Sequence, residues 1–110
     1  MREGDQGAAE LLHMMGHLYL KSSETKRGLV LLLIAAHIAP DHAGILHTLV
    51  RAFIAVGDTP RALEAIDRLE RLQGASPGLT LLQSRALWVA GQKDEARRLF
   101  RDYLQRRGDA

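Results

Sequence analysis

"AVGDTPRALEAI" (residues 55–66) and "VAGQKDEARRLF" (residues 89–100) align without a gap. Gly57 falls on Gly91, Ala62 on Ala96 and Ile66 on Phe100, an offset of 34 residues each time. Subtracting 34 again lands on Ser23, Gly28 and Leu32, and residues 9–110 make three such periods. A fixed period of this size signals one supersecondary unit stacked on copies of itself.

Thirty-four residues is the length of the tetratricopeptide helix–turn–helix, whose pattern sets a large residue, a Leu-Gly pair, an aromatic, a small residue, a second aromatic and a closing Pro. The first period supplies Leu12, Met15-Gly16, Tyr19, Gly28, Leu32 and Pro40. The second has Leu46, Leu49-Val50, Phe53, Ala62 and Ile66. The third departs at Thr80, Gln83 and Ser84 before returning at Leu87, Ala96 and Phe100, so the register of its first helix is the least constrained. Thr59-Pro60 and Ser76-Pro77 each set a capping hydroxyl before a first-turn Pro, and Gly57 and Gly91 suit left-handed helix ends. Helices are expected over 8–21, 25–39, 43–56, 60–73, 77–90 and 93–107. Glu64 with Arg68, Asp67 with Arg71 and Asp102 with Arg106 are spaced to pair on solvated faces. The expected fold is all-α: three tetratricopeptide-like helix pairs (about 9–42, 43–76 and 77–110) in one domain, forming a short right-handed solenoid.

Composition agrees with helices and narrows the function. The chain is 46% apolar, 25% charged and only 5% aromatic. It has no Cys, which removes disulfides and thiolate metal sites and fits a reducing compartment. "MREGDQGAAE" has no apolar core of a secretory signal, so export by that route is not expected. A net charge of +2 is too small to argue for nucleic acid. The arginines at 97, 98, 101, 106 and 107 have only Phe100 and Tyr103 as aromatic company, which favours a solvated face or an acidic partner over phosphates.

"GLVLLLIAAHIA" (residues 28–39) is nearly unbroken apolar sequence. Spanning a membrane takes about 20 apolar residues, and Lys26, Arg27 and His37 bound this run well short of that. The period provides an internal control. Where the second period places Glu64, Asp67, Arg68 and Arg71, and the third Arg98, Arg101, Asp102 and Gln105, the first places Val30, Leu33, Ile34 and His37. These outward positions form an apolar patch of the kind that marks a contact surface. "REGDQG" (residues 2–7) is polar and Gly-containing and offers nothing apolar to cover it. A protein partner or a second copy is the expected cover.

The first helix of each pair lines the concave side of such an array. The register puts His13, His17 and Leu20 there from the first pair, His47, Arg51 and Ile54 from the second, and Leu81, Arg85 and Trp88 from the third. His17, Arg51 and Arg85 are equivalent and would form a positive row suited to an acidic amphipathic peptide. The Lys and Asn set that would resemble the carboxylate-clamping members of this repeat class is not present. His13 and His17 have metal-pair spacing, yet zinc needs at least a third protein ligand and only His47 is near in register, so no metal or other cofactor is expected. Nor does the sequence hold a nucleophile–base set, a phosphate loop or paired carboxylates. Asp94 and Glu95 open a helix, where negative charge suits the dipole. An enzyme is not expected.

"LQSRALWVAGQKDEARRLFRDYLQRR" (residues 82–107), with the three-repeat layout, resembles the small tetratricopeptide chaperones of bacterial type III secretion, most closely the YscY kind. The resemblance covers essentially the whole chain. It implies a cytoplasmic chaperone, working without ATP, that holds a small early-secreted protein of the YscX kind and supports assembly or activation of the export apparatus through its export gate. Two alternatives stand beside it: a chaperone of the needle subunit, and a self-associating scaffold whose Val30–Leu33–Ile34 patch pairs with its own copy. None of the three implies nucleic-acid binding or membrane insertion.

Overall fold

The computed structural model describes residues 3–109 and the side chains of residues 4–108; Met1, Arg2 and Ala110 lie outside it. Six helices follow one another: α1 (Glu3–Lys21), α2 (Thr25–Ile38), α3 (Ala43–Val56), α4 (Thr59–Gln73), α5 (Pro77–Val89) and α6 (Lys93–Asp109). Each odd helix packs on the even helix after it, and each pair docks on the next through α2–α3 and α4–α5. The architecture is an all-helical, tetratricopeptide-like solenoid, 43 Å in its longest dimension.

Most helix ends fall within two residues of expectation, and the exception is the start of α1. Gly4 and Gly7 each cost a helix about 1 kcal/mol relative to Ala, which put the expected start at residue 8. The helix nevertheless begins at Glu3, and residues 4–8 are solvent-exposed. This segment therefore prolongs α1 rather than turning back over α2.

The turn inside each pair shows the repeat in backbone form. Ser23, Gly57 and Gly91 occupy equivalent positions with φ of 66°, 79° and 86°. The residue after each closes the same reverse bond: Glu24 N–H to Tyr19 O at 2.8 Å, Asp58 N–H to Phe53 O at 2.9 Å, and Gln92 N–H to Leu87 O at 2.9 Å. These bonds satisfy carbonyls that a helix end would otherwise leave unpaired. At the helix starts, Ser76 Oγ accepts from Leu79 N–H at 3.3 Å, as expected. Before α4 the expectation fails: Asp58, not Thr59, is the cap, accepting from Arg61 N–H at 3.3 Å. Thr59 lies in the first turn and its hydroxyl instead donates to Ala86 O on α5, at 3.4 Å. A carboxylate is a good cap and also suits the helix dipole.

Small residues bring the paired helices together. A Cβ on Gly16 would sit 2.7 Å from Leu32 Cγ, and one on Gly28 would sit 2.8 Å from Gly16 O. In the third pair Ser84, at the Gly16 position, donates its hydroxyl to Ala96 O at 2.7 Å. That bond, with Thr80 buried one turn earlier, holds α5 in the register of α1 and α3. The core runs through the middle of the stack: Leu32, Leu46, Val50, Ile66 and Leu69 are almost wholly buried, joined by Leu79 and Leu82 from α5. Of the three expected ion pairs only Asp102–Arg106 forms, at 3.5 Å. Arg68 instead spans to the α2–α3 turn, donating to Pro40 O at 2.7 Å.

Candidate protein-binding surfaces

Val30, Leu33 and Ile34 are 56%, 38% and 45% exposed, and His37 one turn on is exposed as well. α2 has few polar residues and no acidic residue in its first turn, so little but packing recommends it as a surface helix. Its inward stripe, Gly28–Leu32–Ala35, faces α1 and α3 and is fully buried, which leaves the other side of an almost entirely apolar helix in water.

The patch continues into a cleft of about 610 Å³ between α2 and α4, where Leu33 and His37 form part of one wall. Leu46, Leu49 and Phe53 of α3 lie beneath, and Arg61, Glu64 and Arg68 of α4 make the opposite wall. The convex surface thus offers an apolar strip on α2, an apolar floor and a charged rim on α4. Alternating apolar and charged stripes are what an amphipathic helix presents, so this cleft can take one lengthwise. Sequence reading found the strip. The α4 wall escaped it, because Glu64 and Arg68 read as an ordinary solvated helix face and nothing singled out Arg61.

The nine concave positions do not form one groove. His13 and His17 line a shallow cleft with Glu10, Met14 and Thr48. Ile54, Leu81, Arg85 and Trp88 line a second cleft of about 330 Å³, shared with Val89, Arg97 and Phe100. Leu20 is drawn inward against the core. His47 lies 3.4 Å from the Gln73 amide at the end of α4. Of the expected row of His17, Arg51 and Arg85, His17 lines the first cleft, Arg85 the second, and Arg51 is exposed. Trp88 anchors the second cleft, with Lys93 Nζ and the Arg97 guanidinium 5.3 and 5.6 Å from its ring centre. Cations over an indole face are favourable, and they give an apolar pocket a positive edge.

His13 has a structural task. Thr48 donates its hydroxyl to Gly44 O at 3.1 Å, so the 2.7 Å contact between His13 Nε2 and Thr48 Oγ1 has the imidazole N–H as donor. Burial, reinforced by the neighbouring His42 and His17, lowers the His13 pKa below the ordinary value of 6.5. The His42 ring stands edge-on to it, centroids 5.9 Å apart, and caps α3 by accepting from Ile45 N–H at 3.1 Å. His13 thus ties α1 to α3. Among the described residues no three His, Asp or Glu side chains gather as a metal site would require, and no helix is long and apolar enough to cross a membrane.

No protein-family model matches the chain. No curated protein matches it either. Among solved structures it is similar to MamA ("MamA MSR-1 C2"), with a TM-score of 0.72 and 23% identity over 88% of this chain. The chain spans 56% of that protein's length. At this identity the likeness is one of fold alone.

Proposed function

We infer that this chain is a non-enzymatic protein-binding domain of three repeats (9–42, 43–76 and 77–110) acting as a cytoplasmic chaperone. Its client on this reading is a small early-secreted type III protein of the YscX kind, delivered toward the export gate to support assembly or activation of the export apparatus. The observation that carries the binding role is the uncovered Val30–Leu33–Ile34 strip opening into the α2–α4 cleft. The resemblance of residues 82–107 to the YscY kind supports the choice of client.

A helix with apolar residues at i, i+3 and i+4 would lay them on α2 and over Leu46, Leu49 and Phe53, with charged residues against Arg61, Glu64 and Arg68. Each large aliphatic side chain fully covered in this way contributes about 1.5–3 kcal/mol. Chaperoning then needs no chemistry: the client's apolar face is kept from water and from other clients while bound. The test is co-expression with a small secretion protein of the YscX kind, followed by light scattering on a sizing column. A one-to-one complex that Leu33→Asp abolishes supports the reading. No complex with that protein, from a chain that is folded, refutes the choice of client.

A further inference from the structure

The two ends of the solenoid are mates. At the inner junctions, α3 and α5 bury the same face against the preceding pair: Ile45 and Leu79 are 0% and 3% exposed, and their equivalent on α1, Leu11, is 52% exposed. One turn on, Thr48 and Leu82 are buried while Met14 is exposed; another turn on, Ala52 and Ala86 are buried while Leu18 is exposed. The receiving side behaves in the same way. Leu32 and Ile66, sealed by the next pair, are 0% exposed, and their equivalent Phe100 on α6 is 43% exposed, beside exposed Trp88 and Leu104. Both end faces of the described helices therefore keep the apolar character of an inner junction and stand exposed, where a capping repeat would present a polar outer face.

We propose that the chain associates head to tail with further copies of itself, α1 of one copy seating on α5 and α6 of the next as α3 seats on α1 and α2. Shape argues for this occupant because the repeat has already built the same joint twice within the chain. The cleft that holds Trp88 and Phe100 supplies the open seat on the receiving side. Charge argues for it as well. α6 carries six basic and four acidic residues, and α1 carries three acidic and one basic. Arg97 stands beside Phe100 in the one cleft and Glu10 beside Met14 in the other. The two surfaces differ, so the contact is heterologous; it extends into an open chain of copies and does not stop at a dimer. This contact leaves the α2 strip free for a client.

The experiment uses the whole chain in sedimentation velocity over a wide concentration range. Average mass is expected to rise continuously above the 12.2 kDa protomer without settling at one oligomer, and to fall in high salt as exposed charges are screened. Two double variants then separate the ends, Met14→Glu/Leu18→Glu and Phe100→Glu/Leu104→Glu, with helicity checked by circular dichroism. Each alone is expected to be monomeric. Mixed in equal amounts they are expected to form a one-to-one dimer and nothing larger, since each retains the end the other has lost. A wild-type chain that stays monomeric at every concentration overturns the proposal, whatever the variants do. So does a symmetric dimer indifferent to both variants, or folded variants that fail to pair on mixing.

Discussion

Gly16 and Gly28 meet backbone to backbone where α1 crosses α2, and a Cβ on Gly28 would lie 2.8 Å from the Gly16 carbonyl oxygen. Ser84 and Ala96 make the equivalent crossing in the third pair, held by a 2.7 Å hydrogen bond. Gly28→Ala should be destabilising although Ala is the better helix former. Propensity returns about 1 kcal/mol, while forcing an extra methyl into a packed crossing costs about 1–3 kcal/mol. A melting temperature lowered by several degrees is expected. A raised one would mean that α1 and α2 separate without penalty.

Ser23 makes a complementary case. It holds a left-handed φ of 66° where the other two repeats place glycine. That conformation costs a non-glycine residue about 1–2 kcal/mol, so Ser23→Gly should raise thermal stability, less the extra flexibility glycine gives the unfolded chain. Gly57→Ala and Gly91→Ala should each lower it. A common sign for all three variants would show that the turns are not equivalent.

Leu33→Asp and Ile34→Asp separate a surface role from a core role for the α2 strip. The side chains are 38% and 45% exposed, so losing their buried part should cost about 1–2 kcal/mol of stability, less than the loss of a core residue. Helical ellipticity should be unchanged while client binding is lost. A variant that unfolds instead places its residue in the core.

Much of this was legible because the period gives every residue two internal comparators. Most helix limits, the left-handed turns at Gly57 and Gly91 and the outward apolar strip at Val30, Leu33 and Ile34 follow from aligning residues 34 apart, and the Ser76 cap from the Ser-Pro pair that opens α5. What escaped depended on neighbours in space. Asp58 and Thr59 are both capping types, and only the proximity of Ala86 O decides that Thr59 is spent elsewhere. Leu11, Met14 and Phe100 are exposed although their equivalents Ile45, Thr48 and Ile66 are buried, a difference set by neighbours in space and not by the period. Among the concave positions Leu20 packs against the core and His47 lies near Gln73, placements that the register does not show.

Arg51→Glu with Arg85→Glu tests the expected concave row. Both arginines are exposed, and substitutions at such sites usually stay within about 0.5 kcal/mol, so the melting temperature should hold. A client with an acidic segment on the concave side should bind severalfold more weakly, and the difference should shrink in high salt. Unchanged affinity, measured by titration calorimetry, would assign binding to the α2–α4 cleft alone.

Acid should loosen the joint between α1 and α3. His13 has a pKa lowered first by burial and then by His42 and His17, so near pH 6 the unfolded chain binds more protons at this site than the folded one. Stability from this group is therefore complete above about pH 6.5, the ordinary histidine value, and is lost as pH falls through the lower folded value. Melting temperatures at pH 7.5 and 5.5 should differ more for the wild type than for His13→Gln, whose amide can still donate to Thr48 but does not titrate. Identical pH dependence in the two proteins would remove His13 from the account.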